Sequence, residues 1–268
     1  MSPVNPAGSA NSDKVDLRLP SDPATLVIFS DLNCSFAHLA MYRLHRTRSR
    51  LGLEGRLWFE HRAFPLELFN CNVNERPGVD SEVAVVGALE PDAGWQLWQG
   101  PDWTYPVTTL PALEAVQAAT AQGWHAAEQL DLALRRGFWA ESRCISQRHV
   151  ILDLAAATGV VDVDRLAVAL DSGSARSAVM TQFQAARDGR VTCSPHIFLN
   201  DGTSFANPGV RARWQNGGFG VGFPVIEADN PGVYEDLLHR AAELATSHGD
   251  TRTLTPRAPE SMKHALKR

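Results

Sequence analysis

Residues 26–44 read LVIFSDLNCSFAHLAMYRL, and this stretch predicts a β-strand that leads directly into an α-helix. The apolar run Leu26–Phe29 is typical of a strand that is covered on both faces. Small polar residues of the kind that begin helices follow it. Apolar side chains then recur at helical spacing, at Phe36, Leu39, Ala40 and Leu44. Cys34 therefore lies where the strand ends and the helix begins.

A second strand is predicted at residues 57–59, beyond a turn that contains Gly52 and Gly55. A strand, a helix and a strand in close succession form a βαβ unit with two parallel strands. From residue 110 to residue 189, apolar residues recur at helical spacing in five successive segments with no strand between them. This part of the chain predicts a block of helices inserted into an α/β domain.

Two further strands and a last helix are predicted after the helical block. Residues 197–199 form an apolar strand, and the sequence NDG at 200–202 is typical of a tight hairpin turn. Residues 203–206 form the return strand, and residues 207–231, rich in glycine and asparagine, are predicted to be a loop. The final helix carries Val233, Leu237, Leu238, Ala241 and Leu244 at helical spacing. The complete order, βαβ, helices, ββα, predicts an α/β thioredoxin fold with an inserted all-helical domain.

The domain limits follow from these elements. The thioredoxin-like domain is predicted to consist of two separated parts, residues 21–75 and residues 190–249, with the helical insertion at residues 76–189. Residues 1–20 are rich in Ser, Pro, Asn and Asp and are predicted to be a disordered lead. Residues 250–268 are predicted to be a basic flexible tail.

Composition limits the class of partner and the compartment. The net charge of -5 over 268 residues argues against a nucleic-acid partner, because phosphate binding needs concentrated Lys and Arg. No apolar run reaches the roughly 18–20 residues that cross a bilayer, so we expect no membrane partner. The N-terminal residues lack the apolar segment of a secretory signal, so we expect a cytoplasmic location, where thiols stay reduced. Four cysteines, none in Cys-x-x-Cys spacing, are then predicted to be free and to bind no metal: Cys34, Cys71, Cys144 and Cys193.

Cys34 is the first candidate for chemistry. The N-terminus of a helix presents free N–H groups and a positive dipole end, which favour the thiolate and lower a cysteine pKa from about 8.5 to roughly 3.5–7.5. His38 lies one helical turn later on the same face, where an imidazolium could stabilise the thiolate or move a proton. The alternatives are a buried structural cysteine and a surface histidine without a role.

The second candidate is residues 192–196, TCSPH, just before the strand at 197–199. A proline at the first residue of a strand removes no ladder hydrogen bond. A cis Ser194–Pro195 bond would turn the backbone and expose the edge of residue 194, although cis bonds are a minority of about 5–6% of X–Pro bonds. An ordinary trans proline that opens the strand is the alternative.

Three segments of the chain, in this order and spacing, resemble the DsbA-like thioredoxin-fold family. Residues 31–38, DLNCSFAH, resemble its active-site turn, and residues 59–66, FEHRAFPL, are similar to its second strand and the following loop. Residues 194–199, SPHIFL, resemble its cis-proline strand. The helical insertion also falls in the expected place, and the resemblance covers roughly residues 24–247.

The resemblance implies a role for each matching residue. Cys34 would be the nucleophile. Ser194 and Pro195 would form the cis-proline loop, whose backbone pairs with an extended substrate chain or with the peptide part of a small thiol. The remaining predicted substrate-binding residues are Ser35, Phe36 and His196.

One departure from the family pattern concerns the resolving cysteine, because residue 37 is alanine and the motif is Cys-x-x-Ala. A single active-site thiol can form a mixed disulfide but cannot close a local disulfide. An external thiol such as glutathione or mycothiol could resolve the mixed disulfide, or Cys193 could do so. Alternatively, the protein performs no redox turnover.

The preferred prediction is therefore a monothiol oxidoreductase that exchanges disulfides with a protein or a low-molecular-weight thiol. It implies no bound cofactor and no metal, and glutathione or mycothiol would act as a co-substrate. A thiol-dependent isomerase or transferase is the first alternative, since 2-hydroxychromene-2-carboxylate isomerases and kappa-class glutathione transferases share this layout. A non-catalytic thioredoxin-fold binding module is the second. The sequence leaves the oligomeric state open.

Overall fold

A computed structural model describes residues 24–247 of the chain. Its first three elements are β1 (Thr25–Ser30), α1 (Ser35–Arg50) and β2 (Trp58–Ala63). All residues of β1 are buried, as expected for a strand covered on both faces. β1 and β2 pair in parallel, which confirms the predicted βαβ unit. The predicted lead at 1–20 and tail at 250–268 lie outside the described residues.

Helices fill the chain between β2 and the next strand. Short 3₁₀ turns at Gly87–Leu89, Pro91–Ala93 and Asp102–Thr104 join the third helix to the fourth. The five helices predicted between residues 110 and 189 are present as the last five of this block. The helices are α2 (Leu66–Phe69), α3 (Arg76–Val86), α4 (Leu110–Thr120), α5 (Trp124–Trp139), α6 (Arg148–Thr158), α7 (Val163–Ser172) and α8 (Arg176–Ala186).

The remaining strands of the main sheet are β3 (His196–Phe198) and β4 (Ser204–Ala206). The strand order is β2-β1-β3-β4, and β3 runs antiparallel to both of its neighbours. Because β1 and β3 are antiparallel, the end of β1 and the start of β3 lie at the same edge of the sheet. The predicted hairpin turn at residues 200–202 joins β3 and β4, which are neighbouring strands of this sheet.

Residues 207–231 were predicted to be a loop, and this prediction is wrong. They form a second, two-stranded antiparallel sheet of β5 (Val210–Gln215) and β6 (Phe223–Asp229). Inward and outward residues alternate along β5, but the surrounding glycines and asparagines obscure that signal in the sequence. At Gly222 a Cβ atom would overlap the backbone oxygen of Gln215. The glycine therefore allows the start of β6 to approach the end of β5 closely.

The connection between β5 and β6 packs back onto α3. The Phe219 ring lies against Gly78 of α3, where a Cβ atom would overlap the ring. β6 itself also contacts α3. The small sheet therefore covers the outer side of this helix.

Two apolar cores meet near the start of α1. The main sheet packs on α1 and on α9 (Val233–Ser247), and the helices from α3 to α8 share a second core. Leu32 belongs to the helical core although it precedes α1. The sheet core includes Leu26, Ile28, Phe59, Ile197 and Leu237, and the helical core includes Leu130, Leu134, Trp139, Ile151 and Leu166. The loop before α1 thus lies at the boundary of the two cores.

Among residues 24–247, no helix combines the length and the apolar character needed to span a bilayer.

Candidate functional site

Cys34 lies at the N-cap of α1, the position predicted from the sequence. Its backbone is extended, with φ -89° and ψ 118°, and the helix begins at Ser35. The Cys34 thiol donates a hydrogen bond to the carbonyl oxygen of Ser194 at 3.1 Å. The Ser194–Pro195 peptide bond is cis. The fold thus brings together two segments that lie far apart in the sequence.

The pairing of β1 with β3 places these two segments side by side. Phe29, near the end of β1, lies opposite His196 at the start of β3. The backbone N–H of Asp31 donates to Ser194 Oγ at 2.9 Å. This hydrogen bond and the Cys34 hydrogen bond hold the loop before α1 against the cis-proline loop.

The buried carboxylate of Asp31 organises the loops around the site. It accepts hydrogen bonds from the backbone N–H groups of Asn33 at 3.2 Å and Leu66 at 2.8 Å. The Thr109 hydroxyl donates to it at 3.2 Å. One side chain therefore ties the loop before α1 to the segments that begin α2 and α4.

Burial determines the protonation of Cys34. The residue is only 7% exposed. Burial, and to a smaller extent the charges of Glu82 and Asp31, raise the pKa of its thiol to about 12, although hydrogen bonding with Ser194 and the Ala37 backbone acts in the opposite direction. The sequence-based prediction of a lowered pKa is therefore wrong. The loss of water around the thiol raises its pKa more than the free N–H groups at the start of α1 lower it.

His38 is not the imidazolium that was one of its two predicted roles, and its role in proton transfer stays a prediction. Its ring stacks on Trp139 and meets Trp95 edge-on, and its Nε2 atom lies 3.0 Å from the carbonyl oxygen of Ala93. Because that oxygen only accepts, Nε2 carries the proton. Burial and the nearby Arg135 lower the His38 pKa to about 3. The predicted imidazolium is thus absent near neutral pH, and His38 instead joins α1 to the helical insertion.

The predicted binding residues differ in their access to solvent. Phe36 and Ser194 are partly exposed, whereas Ser35 is fully buried and His196 nearly so. The His196 Nδ1 atom accepts the backbone N–H of Thr192 at 3.1 Å. The side chains of Ser35 and His196 thus face the interior, and substrate binding by these two residues stays a prediction.

Cys193 lies in the same loop as Pro195. Its thiol donates to the Pro195 carbonyl oxygen at 3.3 Å, and burial raises its pKa. All four cysteines are free thiols. Cys193 thus remains available as a resolving thiol, which stays a prediction.

Glu82 is a residue of the site that the sequence analysis missed. It lies on α3, is 7% exposed, and burial raises its pKa to about 7. The adjacent Ser35 hydroxyl opposes that rise slightly. The only signal in the sequence is an acidic residue between Val79 and Val83 on an apolar helix face.

A small pocket opens beside Asn33, the residue before Cys34. The Asn74 side-chain amide donates to Asn33 Oδ1 at 2.8 Å and forms part of the wall. The lining mixes polar and apolar side chains, which include Asn33, Glu67, Val73, Asn74, Val107 and Thr108. Within the described residues no group of His, Cys, Asp and Glu side chains is arranged to hold a metal ion. The chemistry that this arrangement offers is that of one buried thiol beside a backbone edge.

A family model described as the DSBA-like thioredoxin domain matches residues 25–212. No curated protein matches the sequence significantly.

Solved structures with the same fold come from several oxidoreductases and an isomerase. A probable DsbA oxidoreductase from Streptomyces coelicolor matches with 16% identity and a TM-score of 0.57, over 85% of this chain and 92% of that one. The cytosolic disulfide reductase DsbM from Pseudomonas aeruginosa, solved with GSH, matches with 12% identity and a TM-score of 0.55, over 84% and 98%. A 2-hydroxychromene-2-carboxylate isomerase matches with 17% identity and a TM-score of 0.51, over 68% and 87%. At these identities the matches establish the fold, and they confirm the predicted thioredoxin fold.

Proposed function

Because the chain belongs to the family of DsbA-like thioredoxin domains, we propose that it is a thiol–disulfide oxidoreductase that reacts through Cys34 alone. One observation carries this proposal. The Cys34 sulfur, at the start of α1, lies 3.1 Å from the backbone oxygen that precedes the cis Pro195. An extended substrate that pairs with this backbone edge would bring its disulfide to the Cys34 sulfur.

The reaction begins with attack of Cys34 on the disulfide. The Cys34 sulfur bonds to the nearer sulfur, the S–S bond breaks, and the farther sulfur leaves with the electron pair and takes up a proton. The product is a mixed disulfide on Cys34. Because residue 37 is alanine, a second thiol must attack this mixed disulfide to complete turnover.

We propose that this second thiol is a low-molecular-weight thiol such as glutathione or mycothiol. The solved structure of DsbM with GSH supports this class of co-substrate. A cytoplasmic location would supply such a thiol in reduced form. Cys193 is the alternative, because its thiol already contacts the Pro195 carbonyl.

A thiol-dependent isomerase or transferase is the second candidate, and the protonation of Cys34 favours it. A buried thiol with a pKa near 12 stays protonated at neutral pH and can donate a hydrogen bond. In that case a bound thiol cofactor would supply the thiolate and Cys34 would stabilise it. The isomerase with the same fold supports this candidate.

Intact-mass spectrometry of the reduced protein distinguishes the two candidates. Incubation with glutathione disulfide should add one glutathione to the wild-type protein and to Cys193→Ser, and none at this position to Cys34→Ser. Peptide mapping should place the adduct on Cys34. Added glutathione should then remove it at the same rate in wild type and Cys193→Ser if the external thiol resolves it.

Three results would contradict the proposal. The absence of any Cys34 adduct would exclude the oxidoreductase mechanism. Saturable binding of reduced glutathione without an adduct, which is lost in Cys34→Ser, would favour the isomerase or transferase. If Cys34→Ser changed neither measurement, the protein would be a binding module that does not use Cys34.

A further inference from the structure

Two segments of the chain pack against the loop before α1 and line the small pocket beside Asn33. Val73 and Asn74 come from the segment between α2 and α3, and residues 106–109 precede α4. Asn33 and Asn74 are only 6% and 8% exposed, so polar side chains that are almost fully buried form part of the wall. Because Cys34 directly follows Asn33, the pocket lies beside the proposed nucleophile. We call it the Asn33 pocket.

Glu67 contributes a carboxylate to the Asn33 pocket, and only one of its oxygens is engaged. Oε1 accepts hydrogen bonds from Thr108 Oγ1 at 2.7 Å and from the backbone N–H groups of Thr109 at 2.9 Å and Leu110 at 3.2 Å. Among residues 24–247, no group donates to Oε2 and no cationic side chain pairs with this carboxylate. The bonds to Oε1 hold the carboxylate in place, and Oε2 is left to accept a hydrogen bond from a ligand.

The two asparagines add a donor and an acceptor to the pocket. The Asn74 amide nitrogen donates to Asn33 Oδ1 at 2.8 Å. Within the described part of the chain, this bond leaves the Asn33 amide nitrogen and the Asn74 amide oxygen without a partner. A hydroxyl group both donates and accepts, so it can bond to an oxygen of Glu67 or Asn74 and to the Asn33 N–H at once. A carboxylate only accepts and an ammonium only donates, so neither matches the whole set.

Charge and size also favour a hydroxyl group as the occupant. Among the described residues, the lining contains the Glu67 carboxylate and no Lys, Arg or His side chain. A carboxylate of the ligand would therefore meet a like charge with no cation to offset it, whereas an uncharged group would not. The space has room for about one water molecule, which a hydroxyl group matches in size. The pocket thus fits a single hydroxyl group of a larger ligand.

We propose that the Asn33 pocket binds a hydroxyl group of the co-substrate thiol, and that Glu67 selects an uncharged, hydroxyl-bearing thiol over a thiol with carboxylates. The inference rests on the proposed function, because it names the class of thiol that exchanges with Cys34. Glutathione carries a carboxylate at each end, whereas mycothiol is a sugar-based thiol with many hydroxyl groups and no charged group. Cys34 therefore exchanges with a thiol of the second kind more readily than with glutathione.

Three small disulfides that differ only in the terminal group of each arm test this inference. They are bis(2-hydroxyethyl) disulfide, dithiodipropionate and dipropyl disulfide, which end in a hydroxyl, a carboxylate and a methyl group. In each reaction the Cys34 sulfur bonds to one sulfur of the disulfide, and the other leaves as a thiol that carries the Cys34 proton. The measurement is the rate of adduct formation on Cys34, followed by intact-mass spectrometry and peptide mapping.

Glu67→Gln removes the charge and keeps the start of α4, because the glutamine oxygen can accept the same three hydrogen bonds. The dithiodipropionate rate should rise about threefold to tenfold, since like charges a few ångströms apart repel each other. The rate with bis(2-hydroxyethyl) disulfide should stay within about twofold, because an amide also hydrogen-bonds a hydroxyl.

Glu75→Gln is the matched control, since Glu75 is an exposed glutamate next to Asn74 that does not line the pocket. Water and salt screen an exposed charge, so this variant should leave all three rates within about twofold of wild type.

Asn74→Leu tests the hydroxyl contact independently, and it does so even if Glu67→Gln does not fold. Leucine has a similar volume but makes no hydrogen bond. The rate with bis(2-hydroxyethyl) disulfide should therefore fall about twofold to tenfold, which is the value of one hydrogen bond. The rate with dipropyl disulfide should not fall, because its methyl end has no hydrogen bond to lose.

Either of two outcomes would overturn this inference and leave the proposed function standing. In the first, Glu67→Gln changes the dithiodipropionate rate no more than Glu75→Gln does. In the second, Asn74→Leu slows the reactions of the hydroxyl and methyl disulfides equally. In both cases Cys34 still forms adducts. If none of the three disulfides formed an adduct on Cys34, the proposed function would fail, and this inference with it.

Discussion

The surroundings of Cys34 and Glu82 and the contact between α1, β2 and α5 are both buried, but their charged groups are paired differently. Around Glu82 and Cys34, which we call the thiol pocket, the largest influences on both pKa values within residues 24–247 are burial and acidic or neutral groups. At the α5 contact, Arg48 pairs with Glu128 at 2.6 Å and Arg135 pairs with Asp131 at 2.7 Å. We call these last four residues the α5 junction.

The difference appears in the pKa of the carboxyl groups. Burial would raise the pKa of Asp131, but Arg135 and His61 together hold it below its ordinary value. Burial raises the pKa of Glu82 without opposition from any cation. A buried carboxyl group next to a cation therefore stays ionised at neutral pH. A buried carboxyl group without such a cation has a raised pKa and is still partly protonated near pH 7. The ion pairs of the α5 junction connect the two cores, whereas the Glu82 carboxyl group titrates near neutral pH.

The α5 junction also positions the site. Arg135 donates to the Asp31 carbonyl oxygen at 3.0 Å and to Ser30 Oγ at 2.8 Å. Glu128 accepts the backbone N–H of Phe59 at 2.7 Å. The helical insertion is therefore hydrogen-bonded to the end of β1 and to β2. The loop that carries Cys34 depends on this attachment.

The largest effect on stability should come from breaking one pair of the junction. Arg135→Ala leaves the Asp131 carboxylate buried without its cation, and we expect a loss of about 3–5 kcal/mol in the free energy of unfolding. Urea unfolding measures it. The double variant Arg135→Met with Asp131→Leu removes both charges at similar volume and should regain much of the loss. A loss below about 1 kcal/mol for the single variant would mean that packing alone holds the junction.

Removal of the buried charge of Glu82 in the thiol pocket should increase the free energy of unfolding rather than decrease it. The Glu82 pKa of about 7 lies above the ordinary value of 4.5, so stability is lost as the pH rises from 4.5 to 7, the full loss remains above pH 7, and there is none below pH 4.5. Glu82→Gln should therefore stabilise the protein at pH 8, by up to about 3 kcal/mol, and the gain should fade towards pH 5. Urea unfolding at both pH values measures the difference. A destabilised variant at pH 8 would contradict the comparison.

Buried histidines should make the protein sensitive to mild acid. His38 has a pKa of about 3 in the fold and 6.5 as its ordinary value, so its contribution is intact above pH 6.5 and is lost as the pH falls below it. At pH 5 the loss is about 2 kcal/mol. His38→Phe should preserve the ring packing and reduce the stability decrease between pH 7 and pH 5 by that amount. The exposed His149→Phe is the control and should leave the decrease unchanged.

The smallest effect is expected for a pair at the surface. Arg50 and Glu235 approach to 2.6 Å, but both side chains are well exposed. Exposed pairs contribute about 0–1 kcal/mol because water and salt screen them. Arg50→Ala should therefore change the free energy of unfolding by less than about 1 kcal/mol, and the change should shrink further in 1 M salt. A larger loss would show that distance rather than burial determines the value of a pair.

Local sequence patterns were sufficient to locate the main elements of the site. The position of Cys34 at the start of α1 follows from an apolar strand, a short polar turn and helical spacing, all within one segment. The hairpin between β3 and β4 follows from its turn residues. These features depend on neighbours in the chain, so the sequence carries them directly.

Side-chain environments were harder to predict. His38 occupies the expected helix face, but Trp139 and Ala93 of the insertion enclose it, and these residues are distant in sequence. The hairpin of β5 and β6 was missed because glycines and asparagines surround a short alternating pattern. Glu82 was missed because its role depends on the packing of α3 against α1.

By itself, the sequence determined the order of the elements of the main sheet, the place of Cys34 at the start of α1 and the absence of a cysteine at residue 37. Only the tertiary structure decided that Cys34 is protonated at rest and that Glu82 is its acidic neighbour. The physical reason is that strand and helix formation are governed by residues a few positions apart. A pKa instead depends on the water excluded and the charges supplied by every element that packs around the group.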